Sequence, residues 1–308
     1  KSLVGWREVE YEVMRDASGD AITICNMENL DPLGIHTGDS VVVAPSQTLD
    51  DTEYQRLRDE SLKIARSVGI VGECNVQFAL DPASDSHYVI EINARLSRSS
   101  ALASKASGYP IAAVAAKVIL GKRLIDLPNP VTGVTKALYE PAFDYVTVKI
   151  PRWDLNKFSG VSRSLGSMMK SVGEVMAVGR TLPEALQKGV RMVTEDPRGL
   201  SRPHPKMGAS ELSSALREAT DTRLFSLLEA FRRKMSVAEV QKLSKVDPWF
   251  LRHFSRLAAA ELEIKAADLA RVTAETWRDW KTLGFGDEQI ASLRLGPAAA
   301  PSAVEAAS

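Results

Sequence analysis

Val89-Ile90-Glu91-Ile92-Asn93-Ala94-Arg95-Leu96-Ser97-Arg98-Ser99-Ser100 is the stretch on which the reading of this chain turns. Side chains alternate between faces along a strand, so the spacing sets Glu91, Asn93 and Arg95 on one face and turns Ile90, Ile92 and Ala94 toward the core. The run Glu73–Leu80 reads as a second strand, and Asp81-Pro82-Ala83-Ser84-Asp85 as the turn that makes the two a hairpin. That hairpin can bring the carbonyl oxygen of Gln77 beside Glu91. A carboxylate plus amide oxygens suits a hard cation such as Mg²⁺, which prefers oxygen ligands and leaves positions for waters and nucleotide phosphates. Arg95 and Arg98 next to that group could neutralise phosphate oxygens or hold a small oxyanion in a bidentate fork. From spacing alone, a solvated edge strand whose Glu and Arg simply pair accounts for the pattern equally well.

Working outward, Glu8-Val9-Glu10-Tyr11-Glu12-Val13-Met14 alternates acidic and apolar side chains, and Ala17-Ser18-Gly19-Asp20 turns it into Ala21–Asn26, a hairpin expected to have one wet face. Residues 51–68 switch to helical spacing, with Asp50 or Asp51 as N-cap and Gly69 as the stop. A helix rich in small residues follows Pro110 and ends at Gly121, and residues 134–153 return to strand character. Thr181, with Glu184 three residues on, caps another helix. Composition changes near residue 195, and helical segments are expected to begin near Ser210, Asp221, Ser236, Asp247, Ala266, Thr273 and Gly286. The fold class is therefore α+β: an antiparallel sheet with helices, followed by an all-α part. The expected domains are 1–195 and 196–295, with 296–308 a linker or disordered tail.

Composition narrows the function classes. The chain has 308 residues, enough for two domains, and 39 Lys+Arg balance 39 Asp+Glu, so no global excess of cations marks a nucleic-acid binder. No apolar run is long enough to span a bilayer. Two isolated cysteines, Cys25 and Cys74, offer neither a disulfide framework nor a thiolate metal site and read as small buried hydrophobes in a reducing compartment. The chain opens at Lys1 without a Met or a charged-then-apolar leader, which reads as a piece of something longer.

Glu91-x-Asn93-x-Arg95, continued by Leu-Ser-Arg-Ser-Ser-Ala-Leu-Ala-Ser-Lys-Ala, resembles the carbamoyl phosphate synthetase large-chain family in its first ATP-grasp half. Lys1–Glu8, Asn29–Ser40, Val42–Pro45, Lys149–Trp153 and Met169–Met176 resemble it as well, continuously to about residue 193, and Asp247-Pro248-Trp249-Phe250-Leu251 looks like its helical oligomerisation domain. The Arg-x-x-Arg-Ser-Ser continuation separates this pattern from biotin carboxylases, whose motif runs on into a Gln-Val-Glu-His type sequence.

The resemblance implies the C-terminal part of an ATP-grasp domain and assigns roles by position. Gln77, Glu91 and Asn93 match ligands of two Mg²⁺ or Mn²⁺ ions, with Glu91 bridging and ATP held by its phosphates. Glu8 matches the carboxylate on the ribose hydroxyls, and Leu3 the hinge backbone at adenine, while Lys1 departs from the Glu of bacterial members. Gly34, Ile35 and His36 match a nucleotide-contacting loop, and Arg95 and Arg98 align with arginines near bicarbonate-derived intermediates. The implied activity is that of a ligase: phosphorylation of bicarbonate to carboxyphosphate, then carbamate formation with ammonia, for arginine or pyrimidine synthesis. Implied partners are a glutaminase subunit or domain and the remaining synthetase domains, with self-association through the helical part and neither nucleic acid nor membrane. The implied location is the cytoplasm or the mitochondrial matrix. No glycine-rich phosphate loop is found in the chain, so the piece by itself is expected to be catalytically inert. A helical interaction module, or another ATP-grasp carboxylase-type ligase, is the alternative.

Overall fold

The hairpin expected at the N-terminus is strand β1 (Arg7–Arg15) paired with β2 (Ala21–Asn29), and the one around Asp81–Asp85 is β4 (Gly72–Leu80) paired with β5 (His87–Asn93). A computed structural model describes residues 2–203 and 207–296, which divide into two units: Lys1–Asn29 with Val42–Asp144, and Leu30–Val41 with Tyr145–Ser308.

In the first unit the strands run in the order β5-β4-β1-β2-β3, with β3 spanning Val42–Ala44, and the pairings are antiparallel. One face is apolar: Val9, Tyr11 and Val13 of β1 and Cys74, Val76 and Phe78 of β4 pack with Leu57, Leu62 and Ala65 of helix α1 (Asp51–Val68). Helix α1 starts where the sequence places it. Asp50 accepts from Glu53 N–H at 2.8 Å, Glu53 reaches back to Asp50 N–H, and Gly69 closes the helix in the left-handed region at φ 74°. Asp50→Ala is expected to cost about 1 kcal/mol, read as a lower urea midpoint; an unchanged midpoint would mean that this cap contributes nothing. Two further helices, α2 (Arg98–Ser107) and α3 (Ile111–Ile119), complete the unit, α2 opening on a Ser97/Ser100 capping box.

Three expectations are corrected. Glu10 and Glu12 are completely buried, so the acidic face of β1 is not wet. Ile90 is 40% exposed, because the register passes from Gln77↔Glu91 to Phe78↔Val89 and leaves it as the extra residue of a β-bulge. The strand ends at Asn93, so Ala94 and Arg95 lie beyond it.

The second unit pairs β6 (Val146–Arg152) with β7 (Gly173–Gly179), strand character being confined to the end of 134–153. Helix α4 (Leu182–Thr194) packs on this pair, capped by Thr181 as expected. The helices α5 (Ala209–Arg217), α6 (Arg223–Arg232), α7 (Val237–Ser244), α8 (Pro248–Ala266), α9 (Ala274–Thr282) and α10 (Asp287–Leu295) follow. Ala266 ends a helix rather than starting one. The turn between α9 and α10 presses on α4: a Cβ at Gly284, whose φ is 87°, would lie 2.8 Å from Glu184 Cα. Gln187 on α4 donates to Leu283 O at 3.0 Å, and Gln289 donates back to Gln187 Oε1 at 2.7 Å. The boundary expected at 195/196 thus falls inside this unit, and of the expected tail only Gly296 lies within the described residues. Among the described residues no helix is long and apolar enough to cross a membrane.

Candidate active site

The polar face of the first unit is built in rows. Register sets Glu10, Gln77 and Glu91 side by side across β1, β4 and β5, and sets Glu12, Asn75 and Asn93 side by side in the next row. Gln77 therefore stands directly opposite Glu91. Asn93 Nδ2 donates to Glu91 Oε1 at 2.9 Å, and Arg95 Nη2 approaches Asn93 Oδ1 at 3.4 Å. The rows run from wet to dry, Glu91 and Arg95 being exposed and Glu10 and Glu12 buried.

Helix α2 lies over the dry end. Ser100 Oγ lies 3.3 Å from Glu12 Oε2 and 3.1 Å from Glu73 Oε1, while Asn75 Nδ2 lies 2.9 Å from Glu10 Oε2 and 3.0 Å from Glu12 Oε1. Acceptors outnumber donors here: Glu10 Oε1, Glu73 Oε2 and Asn75 Oδ1 are buried without a hydrogen-bond partner. Burial, then the hydrogen bond to Glu73 and the charges of Glu73 and Glu10, push the Glu12 carboxyl well above the usual carboxylate range, and burial raises Glu73 as well. An acid raised in the fold stabilises it while protonated, and that contribution is lost as pH climbs from the ordinary carboxylate value through the raised one. Wild type is therefore expected to lose stability as pH climbs above the ordinary carboxylate range, by up to roughly 1.4 kcal/mol per pH unit for one proton. Glu12→Gln, which keeps the uncharged shape, should flatten that loss; parallel curves for the two proteins would contradict it.

Glu10, Glu12, Glu73, Asn75 and Ser100 were not among the residues singled out from the sequence. The acid-apolar alternation of β1 carries the signal for Glu10 and Glu12 alone, and it looks the same for a solvated face and for a buried polar one.

The donor set fits a hard divalent cation in type. Gln77, Glu91 and Asn93 offer two amide oxygens and one carboxylate, on a face with unsatisfied oxygens behind them. Asn93 Oδ1 is met by Arg95 Nη2 at 3.4 Å, so presenting that oxygen to an ion means releasing the Arg95 contact, while the amide N–H stays on Glu91. Among the described residues no group of three or more His, Cys, Asp or Glu gathers as a metal site, in keeping with a single carboxylate here.

The other expected residues are placed as follows. Leu3 is half-buried and its carbonyl accepts from Trp6 N–H at 3.0 Å, and Glu8 is buried on β1; Lys1 lies outside the described residues. Arg98 is half-buried in the first turn of α2. Gly34, Ile35 and His36 belong to the second unit, where Gly34 is exposed at φ 115°. His36 caps a short 3₁₀ turn, its Nδ1 accepting from Gly38 N–H at 2.9 Å. A neutral His36 therefore carries its proton on Nε2, a donor on the exposed side of the ring. Cys25 and Cys74 are buried free thiols, and burial, reinforced by the Glu73 and Glu12 charges, pushes Cys74 up to about 12, so it is chemically quiet.

An antiparallel sheet with covering helices and a face of oxygen donors, followed in the chain by a helical region, is an α+β architecture that agrees with the expected fold class. Residues 1–127 match the carbamoyl-phosphate synthase L chain, ATP binding domain, and residues 174–305 match the carbamoyl-phosphate synthetase large chain, oligomerisation domain. The chain belongs to the carbamoyl phosphate synthase large-chain family. It is 55% identical over 295 residues to the carbamoyl phosphate synthase large chain of Thermomicrobium roseum, covering 96% of this chain and 27% of that one. The arginine-specific large chain, mitochondrial, of Schizosaccharomyces pombe is 55% identical over 295 residues, with 95% and 25% covered. The ammonia-type mitochondrial carbamoyl-phosphate synthase of Rattus norvegicus is 49% identical over 295 residues, with 94% and 20% covered. The chain thus spans about a quarter of the length of the relatives it matches. Among solved structures, a pyruvate carboxylase from Rhizobium etli aligns at a TM-score of 0.49 and 17% identity, over 89% of this chain and 27% of that one.

Proposed function

We propose that the chain supplies the metal-holding wall of a site that phosphorylates bicarbonate with ATP, within a carbamoyl phosphate synthase. The observation that carries this reading is the Gln77–Glu91 register with Asn93 hydrogen-bonded beside it, three oxygen-donor side chains on one accessible face. Gln77, Glu91 and Asn93 would hold two Mg²⁺ or Mn²⁺ ions. Bound there, the cations offset charge on the nucleotide phosphates. The chain's own residues position and neutralise: Glu8 holds the ribose hydroxyls, the Leu3 backbone meets adenine, and Gly34, Ile35 and His36 form a loop whose Nε2–H donates to phosphate. Arg95 and Arg98 face the bicarbonate-derived group, where a planar guanidinium fork matches a carboxy or phosphoryl oxyanion. In the reaction a bicarbonate oxygen takes the γ-phosphoryl group of ATP, releasing ADP, and ammonia then displaces phosphate from carboxyphosphate to give carbamate.

The relatives support this assignment, and the arginine-specific and ammonia-type names among them frame two roles for the parent enzyme: arginine or pyrimidine synthesis, with nitrogen from a glutaminase partner or as free ammonia. Cytoplasm and mitochondrial matrix both accommodate such an enzyme. Functionally we divide the chain at 195/196, with the ATP-grasp part before it and the oligomerisation part over 196–295. The match of residues 174–305 to an oligomerisation domain favours a second reading, in which the chain by itself serves as an association module.

Calorimetric titration of the 308-residue chain with ATP, in Mg²⁺ and again in EDTA, tests the first reading. Binding that requires Mg²⁺ is the expected result. No Mg²⁺-dependent binding, together with concentration-dependent self-association, would replace it with the second reading.

A further inference from the structure

The second unit contains a cavity of about 440 Å³ bounded by the end of β6, the end of α4 and the start of α6. Its wall carries five carboxylates and five cationic side chains, and most of them are committed to each other. Arg152 pairs with Glu195 at 2.6 Å, and Lys157 pairs with Asp154 at 2.8 Å. Arg163 holds Asp221 through two N–H groups, and Arg223 faces Asp31 at 2.7 Å. The remaining carboxylate, Asp39, accepts from Trp153 Nε1 at 3.1 Å and from the backbone N–H groups of Lys170 and Ser171, each at 2.7 Å.

That accounting leaves Arg202. Its guanidinium carbon stands 4.0 Å from the centroid of the Phe225 ring, a cation–π contact. No acidic side chain among the described residues pairs with it. The two acids whose charges reach it, Asp196 and Asp221, are each held by another arginine, Arg198 and Arg163. Burial disfavours its charge, a cost that an anion in the cavity would offset. Trp153, Leu165 and Phe225 give the same cavity apolar wall, while the hydroxyls of Thr194 and Thr222 are engaged with Val190 O and Thr220. Its volume is in the range of small-molecule sites.

We propose that this cavity binds a small organic oxyanion, a phosphate or carboxylate carried on a flat apolar group, with the Arg202 guanidinium as its anchor. The anion takes the N–H groups of Arg202, and the flat group lies against Trp153. The residues lining it all belong to the second unit and include none of Gln77, Glu91 and Asn93, so binding here needs no divalent cation.

Titration of the 308-residue chain by calorimetry, with phenyl phosphate in one arm and benzoate in the other, tests this. Saturable 1:1 binding of at least one probe with a Kd below about 1 mM is expected, equal in Mg²⁺ and in EDTA, and the tighter arm identifies the head group. Arg202→Met keeps the apolar stem and should weaken that binding at least about tenfold, with an unchanged circular dichroism spectrum. Arg202→Lys, which keeps the charge without the fork, should fall between the two and serves as the test if the Met variant does not fold. Failure of both probes to saturate by about 10 mM, or wild-type affinity in a folded Arg202 variant, overturns the proposal.

Discussion

Glu91→Gln is expected to weaken Mg²⁺-dependent ATP binding by this chain at least about 100-fold, close to 3 kcal/mol. Of the three donors brought together on β4 and β5, Glu91 alone is a carboxylic side chain; Gln77 and Asn93 contribute neutral amide dipoles. Replacing its carboxylate by an amide keeps size and shape but removes the one full charge that compensates the cation for lost water. Even residues that only orient metal ligands cost about 10- to 100-fold in metal affinity when removed, so loss of a direct charged ligand sets the larger figure. The variant should fold normally. Glu91 is exposed on an edge strand, and surface substitutions of that kind stay within about 0.5 kcal/mol. A variant with wild-type stability and wild-type Mg²⁺-dependent binding would remove Glu91 from the site.

The second large effect is on stability and lies in the other unit. Asp31 and Arg223 are each only 5% exposed and face one another at 2.7 Å as an ion pair, although neither Asp31 Oδ1 nor Arg223 Nε has an aligned hydrogen bond. Arg223 Nη2 also donates to Ser244 O at 2.6 Å, and Asp31 Oδ2 accepts from Ser40 Oγ at 3.1 Å. Arg223→Met leaves the Asp31 charge buried with one hydroxyl for company, and the expected cost is about 3–5 kcal/mol. The pair itself contributes much less than that, because taking two charges out of water offsets most of their attraction. Asp31→Leu combined with Arg223→Met should therefore recover at least half of the loss in urea unfolding. Single variants costing under about 1 kcal/mol would show that water reaches the pair.

Much of this architecture is legible in local chemistry. Asp50, Glu53 and Gly69 bracket α1 because capping is settled within four residues, and the Glu91-x-Asn93 alternation places both side chains on one face by the two-residue period alone. What escapes the sequence depends on distant partners. Glu12 meets Ser100 of α2, 88 residues further on, and Glu10 meets Asn75 of β4, so the β1 pattern by itself reads as wet. The bulge at Ile90 depends on how β5 slips against β4, and a strict alternation cannot foresee it. Residues 128–145 contain strand-forming side chains, yet Asn129 folds back on the N–H groups of Val131 and Thr132 and Gly133 turns through φ 70°, which leaves only 146–152 extended. Arg202 is conspicuous only once the other charges of its cavity are seen to be paired.

The central claim is that Gln77, Glu91 and Asn93 surround the cation of a bound nucleotide. Paramagnetic relaxation of the side-chain amide resonances by Mn²⁺·ATP tests it most directly. Selective broadening of the Gln77 and Asn93 NH₂ signals is expected in the wild-type chain, reversed by excess Mg²⁺·ATP and absent in Glu91→Gln. Broadening centred elsewhere, with the Gln77 and Asn93 signals unaffected, would contradict it.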